Sequence, residues 1–309
     1  MKTTQFQLLL LALFISATSV KAQTPINETI LISGTKFTYP LIEKWITEYS
    51  KVNPTTTILL AVKSGNQGSS DLDIIAHQPT KDELKADQDI LYTARYALLP
   101  VTNSHNPILT STRKKGLTKK EIDKLFFEVV NYEEAPVVEK PKFRATIYAR
   151  DNKACASTAL ASYYGHASSE IRGKKVLGDD IYLLSAIRKD TIGIAFNNLG
   201  YLFDISSRNL KDGIALLPLD LKKETKTITA GNLDEVISVL EITKVETIPV
   251  EKIGFIYSRQ NPRKEVSDFL KWVLNDGQKF NHEKGFLNLD KPELAEQKNH
   301  LAEKFLSQN

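Results

Sequence analysis

The feature that most restricts the fold of this chain is the alternation of short apolar runs with segments of helical periodicity. The run ETILISG, which ends at Gly34, reads as a β-strand. The segment YPLIEKWITEYSKVNP follows it and repeats apolar residues at the spacing of one helix face, namely Ile42, Trp45, Ile46 and Tyr49. Asn53 and Pro54 then predict the end of this helix.

The same pattern continues to the C-terminus. Further strands are predicted at TTTILLAV, LDIIA, YALLPV, RATIYA, TIGIAF, IALLPL and EKIGFIYSR. Further helices are predicted at GLTKKEIDKLFFEVV, ASTALASYYG, DDIYLLSAIRK, LDEVISVLEI, PRKEVSDFLKWVLNDG and KPELAEQKNHLAEKFLSQN, with Gly165 and Gly277 as C-caps of two of them. The polar KKETKTITAGN reads as a surface loop. Continuously apolar strands alternating with helices predict a doubly wound α/β fold around a parallel sheet.

The N-terminal segment MKTTQFQLLLLALFISATSVKAQ has the features of a secretory signal peptide. Lys2 precedes an apolar run from Leu8 to Ala17, and small residues lead to Ala22. This run is shorter than the roughly 20 residues that span a bilayer. We therefore expect residues 1–22 to be removed and the mature protein to lie in the periplasm.

Composition excludes several classes of function. A formal net charge of +4 is too small to indicate nucleic-acid binding. The single cysteine, Cys155, permits no internal disulfide, and the five histidines are scattered, so no metal site or cofactor is expected. Cys155 as a nucleophile would need a base. His166 lies past the end of its helix, roughly 15 Å away by helix rise, and we expect a buried, unreactive thiol.

Six segments in order resemble the phosphate-binding proteins that serve ABC importers. The resemblance is carried by SGTKFTYPLIEKWITEYSKVNP, LDIIAHQP, YALLPVTNSHNP, GLTKKEIDKLF, TIGIAFNNLGYL and IPVEKIGFIYSRQNPRKEVSDFLKWVLNDGQKFNHEKGFLNL. It covers most of the chain after the signal segment. It implies an α/β, two-lobed periplasmic-binding-protein-like fold of type II, with a ligand cleft between the lobes. Lobe I would comprise residues 23–102 and 248–309, and lobe II residues 103–247.

The resemblance also implies a set of ligand residues in lobe I. Lys36 stands where the family has a hydroxyl residue, and Phe37 retains the family's Phe, whose backbone N–H is a ligand. Ser64 in KSGNQG matches the ligand serine. Gln78 matches a position that can carry an aspartate, which would accept a proton from a protonated oxyanion. The segment between Ser64 and LDIIA is shorter than in the family.

In lobe II the family has an arginine and, after three residues, Ser-Gly-Thr at the start of a helix. Arg150 matches the arginine, and Ala154, Cys155 and Ala156 match the tripeptide. The two side-chain hydroxyls are therefore absent, while the backbone N–H groups at this helix N-terminus remain available to an anion. Arg150 and Lys36 would approach the anion from different lobes.

The resemblance implies a binding protein rather than an enzyme. The first hypothesis is a monomeric solute-binding protein that holds phosphate or a related small anion and delivers it to an ABC permease. The alternative is an exported sensor or interaction module that no longer serves phosphate transport, which the missing hydroxyls favour. A hydrolase that uses Cys155 is the third hypothesis, and it is the least supported.

Overall fold

A computed structural model describes residues 28–61, 70–80, 82–111, 116–127, 144–259 and 263–306. The predicted signal segment and Ser64 lie outside these ranges. The described strands are β1 Glu28–Gly34, β2 Thr56–Leu60, β3 Leu72–Ile75, β4 Gln88–Asn103, β5 Thr146–Arg150, β6 Lys174–Val176, β7 Gly193–Asn198, β8 Ile214–Leu216 and β9 Val250–Ser258. No helix in the described ranges is long and apolar enough to cross a membrane.

The described helices agree with most of the periodic segments. They are α1 Tyr39–Val52, α2 Ile108–Ser111, α3 Lys119–Phe126, α4 Cys155–Tyr164, α5 Ile181–Lys189, α6 Leu199–Leu202, α7 Thr227–Ala230, α8 Leu233–Ile242, α9 Lys264–Asn275 and α10 Lys291–Leu306. Gly165 has φ of 84° and ends α4, as predicted. Two details were wrong: Asp276 rather than Gly277 is the C-cap of α9, and the segment expected as a loop contains α7.

The sheet is mixed rather than parallel throughout. Its strand order is β2-β1-β3-β9-β4-β7-β5-β6, and β8 also pairs with β4. The pairs β1–β2, β1–β3, β5–β6 and β5–β7 are parallel, whereas β9 runs antiparallel to both β3 and β4. The strand β4 is also antiparallel to β7 and β8, so β4 and the return strand β9 together break the predicted parallel pattern.

The strand β4 belongs to both halves of the molecule. Its residues 88–97 pair with β9, whereas residues 98–102 pair with β7 and residues 101–103 with β8. We use lobe I for the side built on β1, β2, β3, β9 and residues 88–97, and lobe II for the side built on residues 98–103 and β5–β8. The β4 strand thus carries the chain from one lobe to the other without a turn.

The core of lobe I forms where α1 packs on the sheet. Trp45 is fully buried, donates from Nε1 to the carbonyl of Gly277 at 2.9 Å, and packs near Phe255. Tyr49 meets the rings of Phe269 and Trp272 edge-on at 5.2 and 5.6 Å. Burial of such aromatic rings contributes the largest share of packing energy. It fixes α1, and with it the turn that precedes α1, against the sheet.

Candidate functional site

A cleft of about 460 Å³ opens where strands of both lobes end. Lobe I contributes the turn after β1 and the exit of β3, and lobe II contributes the segment after β5 and the segment before α5. The lining residues are Gly34, Thr35, Lys36, Phe37, Asp73, Ile74, Ile75, His77, Glu83, Arg150, Lys153, Ala154, Cys155, Ala156, Gly178, Asp179, Asp180 and Ile256. Ligands of α/β sheets commonly bind at such crevices beyond the ends of strands.

The lobe I wall depends on a sharp turn at Gly34. This glycine has φ of 129°, and an added Cβ would lie 2.3 Å from the carbonyl oxygen of Ile74. Thr35 follows and donates its N–H to that same carbonyl at 3.2 Å, and its hydroxyl, which also lies 3.2 Å from this oxygen, can donate its one proton either there or to Sγ of Cys155. The turn therefore holds the Thr35 hydroxyl at the cleft, with Lys36 and Phe37 in a short 3₁₀ helix behind it.

The lobe II wall presents the N-terminus of α4. Ala154 is its N-cap and has no side chain that can cap the helix. The N–H groups of Ser157 and Thr158 both donate to the carbonyl of Ala154. Those of Cys155 and Ala156 have no backbone acceptor among the described residues, as expected for the first turn of a helix. Two amide donors and the positive end of the helix dipole are thus available at the cleft.

Arg150, which we expect to contact the anion, lines the cleft and is also bound by groups of its own lobe. Its Nε lies 2.7 Å from Oδ1 of Asp180, and the two side chains form an ion pair. The Nε–H bond does not point at this oxygen closely enough to make a hydrogen bond. Its other nitrogens donate to the carbonyl of Val176 at 2.7 Å and to that of Gly178. Arg150 therefore ties the end of β5 to the segment that leads into α5.

The carboxyl of Asp180 is buried, and this changes its protonation. Burial raises its pKa to about 6, and the charge and hydrogen bonding of Arg150 only partly oppose that rise. Because the side chain is 7% exposed, little solvent screens the pair. The positive charge of Arg150 is consequently balanced inside lobe II before any ligand arrives.

Two lysines supply the cationic groups at the cleft that are not neutralised. Neither Lys36 nor Lys153 makes an ion pair with another residue in the part of the chain that the structure describes. On the acidic side, the hydroxyls of Ser33 and Ser70 both donate to Oδ1 of Asp73, at 2.5 and 2.7 Å, so this oxygen of the carboxylate is already engaged. The cleft therefore combines two available cations with several acids rather than forming a uniformly positive pocket.

The thiol of Cys155 is half-buried and has polar neighbours, contrary to the expected inert environment. Its Sγ lies 3.0 Å from Oγ1 of Thr35, in the other lobe. Burial alone would raise the pKa of this thiol, but the imidazole of His77, the hydroxyl of Thr35 and the N–H of Ala76 together lower it. The sulfur is thus stabilised as a thiolate by groups of lobe I.

His77 is the histidine that the sequence analysis missed. It follows β3, is 7% exposed, and its Nε2 lies 3.1 and 3.2 Å from the two carboxylate oxygens of Glu83. Burial would lower the pKa of this imidazole, but Cys155 and Glu83 outweigh burial and raise it. No sequence signal relates His77 to Cys155, because they are far apart in the chain and meet only across the cleft.

The predicted ligand residues divide into three groups in the structure. Lys36, Arg150, Ala154, Cys155 and Ala156 line the cleft, as does Phe37, whose buried ring packs 4.8 Å from that of Tyr96. Gln78 is exposed, accepts from the hydroxyl of Tyr92 at 3.2 Å, and is not among the lining residues. Ser64 lies outside the described residues. Within the described ranges, no cluster of three or more His, Cys, Asp or Glu residues could hold a metal ion.

Comparison with solved structures identifies the fold. No protein-family model and no curated protein sequence matches the chain. A Clostridium perfringens protein classed as a phosphate ABC transporter substrate-binding protein, crystallised with bound phosphate, is similar in structure, with a TM-score of 0.61 and 14% identity. The alignment covers 85% of this chain and 100% of that one.

Two further structures show the range of proteins that share this architecture. An ABC-type phosphate transport receptor from Vibrio cholerae has a TM-score of 0.57 and 13% identity, covering 84% of this chain and 100% of the receptor. The CcmR regulatory domain of Synechocystis, in complex with 2-PG, has a TM-score of 0.50 and 12% identity, covering 80% and 96%. The chain therefore has the two-lobed α/β fold of type II periplasmic binding proteins, and its neighbours include transport receptors and regulatory domains.

Proposed function

We propose that this chain is an exported solute-binding protein that holds a small anion, phosphate or a related oxyanion, in the cleft between its lobes. The observation that carries the proposal is the uncapped N-terminus of α4 opening on that cleft. The amides of Cys155 and Ala156 are donors there, beside Lys36 and Lys153. The phosphate bound to the similar Clostridium perfringens protein supports the same class of ligand.

The dimensions and charges of the cleft favour an anion larger than phosphate within this class. The cleft of about 460 Å³ has room for an anion larger than a bare phosphate. The carboxylates of Asp179 and Glu83 also line the cleft and can accept hydrogen bonds from a ligand that carries donors. A phosphate monoester with hydroxyl or amino groups would use both the cationic and the acidic groups.

The proposal includes how the protein acts. Binding without chemical turnover, a monomeric state and delivery to an ABC permease are proposed from the resemblance to phosphate receptors. Export after removal of residues 1–22 is proposed from the signal-like N-terminal segment. The division of the chain into lobe I, residues 23–102 and 248–309, and lobe II, residues 103–247, is part of the same proposal. Intact-mass measurement of the exported protein is expected to show a chain that begins at Gln23. A chain that still contains Met1 would contradict the export part.

The ligand prediction is tested on the two available lysines. Lys36→Ala and Lys153→Ala are each expected to weaken binding of a phosphate monoester by about five- to tenfold, because each removes one charge-assisted contact. Lys244→Ala removes an exposed lysine elsewhere and is the matched control, expected to leave affinity unchanged. Isothermal titration with phosphate, sulfate and glycerol phosphate measures all three variants against the wild type.

Two outcomes would contradict the proposal. One is a wild-type protein that binds none of these anions at millimolar concentration. The other is an equal loss of affinity in the cleft variants and in Lys244→Ala, which would show only a non-specific effect of charge. The exported sensor or interaction module would then be the better hypothesis, as the regulatory domain among the structural neighbours already suggests.

A further inference from the structure

Cys155 lies in lobe II, but the groups that surround its sulfur belong to lobe I. The Thr35 hydroxyl lies 3.0 Å from Sγ, and His77 lines the same cleft, where its imidazole and the N–H of Ala76 lower the pKa of the thiol. Each of these groups can donate to a negatively charged sulfur. Lobe I thus surrounds the sulfur as it would surround a bound anion.

His77 provides an independent indication that the site is built for a partner. Its ring is more than nine-tenths buried and lines the cleft. Glu83 occupies Nε2, while Nδ1 has no partner in ordinary hydrogen-bond geometry among the described residues. The carboxylate therefore fixes the ring and leaves Nδ1 as the nitrogen available to the thiol or to a molecule that approaches it. Such a carboxylate, imidazole and thiol set activates sulfur for reaction.

The other titratable groups near this set do not oppose the charge separation. Tyr96 interacts with Cys155, but its complete burial raises the pKa of the phenol well above the ordinary range, so it stays neutral. Glu251 interacts with His77 and, when ionised, favours the imidazolium. Charged neighbours on lobe I therefore support a thiolate and imidazolium pair.

We propose that Cys155 is a modification site at which a small hydroperoxide entering the cleft oxidises the sulfur to sulfenic acid. The thiolate attacks the terminal oxygen of the hydroperoxide, so that an S–O bond forms while the O–O bond breaks. The leaving alkoxide or hydroxide takes the proton from the His77 imidazolium and departs as alcohol or water. The sulfur loses two electrons, which reduce the peroxide.

The surroundings determine the fate of the product. Since Cys155 is the only cysteine in the chain, no internal disulfide can form from the sulfenic acid. The sulfenic acid is neutral and larger than the thiolate, so it loses the favourable interaction that Thr35 and His77 make with a negatively charged sulfur. Oxidation is therefore expected to weaken the contact between the two lobes at this point.

Hydrogen peroxide is the probe for this site. The exported chain is treated with it in a phosphate-free buffer, trapped with dimedone, and quantified by mass spectrometry, so the result does not depend on anion binding. The single methionine of the chain is Met1, in the predicted signal segment, and cannot confuse the measurement. We expect one dimedone adduct, absent in Cys155→Ser, and faster oxidation than that of free cysteine at about pH 6.5.

The matched variants test the role of the imidazole. His77→Gln is expected to slow oxidation at about pH 6.5 by about tenfold, because it removes the imidazole that lowers the pKa of the thiol. His105→Gln replaces an exposed histidine outside the cleft and is expected to oxidise at the wild-type rate. Glu83→Gln keeps the imidazole and is expected to slow the reaction about threefold. This variant also tests the proposal if His77→Gln does not fold.

The proposal would be overturned by wild-type oxidation no faster than that of free cysteine. It would equally be overturned if His77→Gln, or Glu83→Gln in its place, reacted at the wild-type rate. Neither result would bear on anion binding, which the titrations measure separately.

Discussion

Replacing Arg150 with methionine is expected to lower the free energy of unfolding by about 3–5 kcal/mol at about pH 8, because it leaves the buried Asp180 without its charge partner. The carboxyl has a folded-state pKa of about 6, against an ordinary value of 3.8. The folded protein therefore loses stability through this group as the pH rises from 3.8 to about 6. The Arg150→Met substitution removes the positive charge that stabilises the Asp180 carboxylate, so the loss of folding stability with rising pH becomes larger.

The pH dependence separates the ion pair from the other contacts of Arg150. At about pH 5 the Asp180 carboxyl is mostly protonated in the folded wild type as well as in the variant, so the loss of stability should be about 2 kcal/mol smaller than at about pH 8. The bonds to the carbonyls of Val176 and Gly178 are lost at both pH values and cancel in the difference. Urea unfolding at the two pH values measures this.

Two further variants complete the experiment on Arg150. Arg188→Met removes an exposed arginine whose Nε donates to the carbonyl of Asp212, and it should change stability by less than about 1 kcal/mol. Adding Asp180→Asn to Arg150→Met should recover part of the loss at about pH 8, because no buried charge remains. An equal loss at both pH values would show that Asp180 does not require the arginine.

The second large effect is expected at the turn after β1. Gly34→Ala should destabilise the protein by about 3–5 kcal/mol, since φ of 129° is unfavourable for alanine and the new Cβ would meet the backbone of Ile74. Gly165→Ala is the matched control, because Gly165 also has positive φ but an added Cβ meets nothing within 4 Å. It should lose only about 1–2 kcal/mol.

Unfolding in urea, with the thiol reactivity of Cys155 as a second measurement, tests this turn. Gly34→Ala should also displace the Thr35 hydroxyl from the sulfur, so the thiol should react more slowly at about neutral pH. Gly165→Ala should not affect the thiol. Equal destabilisation by the two variants would mean that the backbone moves enough to relieve the clash between the new Cβ and Ile74, contrary to our interpretation.

Local periodicity was sufficient to predict the order and type of most elements. The apolar stripe of α1 and the αL glycine at the end of α4 both depend on neighbouring residues, and both were confirmed. The length of β4 was underestimated, because its first half mixes polar and apolar residues that are paired with β9. Pairing across the sheet, rather than local pattern, determines that half.

The candidate site was less accessible to sequence reasoning than the fold. Spacing can show that Arg150 lies near the start of a helix, but not that Asp180, 30 residues later, neutralises it. Likewise, His77 and Cys155 come together only because β3 ends and α4 begins on opposite sides of one cleft. The sequence shows which chemical groups are present, and the tertiary fold determines which of them come into contact.

The continuity of β4 determines how the two lobes can move. The strand β4 is paired on both sides of the lobe boundary, and at the boundary the Leu98 N–H donates to the carbonyl of Pro249 at 3.0 Å. The connection between the lobes therefore resists rotation elastically and is not a free hinge. Any swing of one lobe must twist this ribbon, so its amplitude is limited by how far paired strands can shear before their ladder breaks. A molecule that enters the cleft therefore works against a restoring torque, which acts again when the molecule leaves.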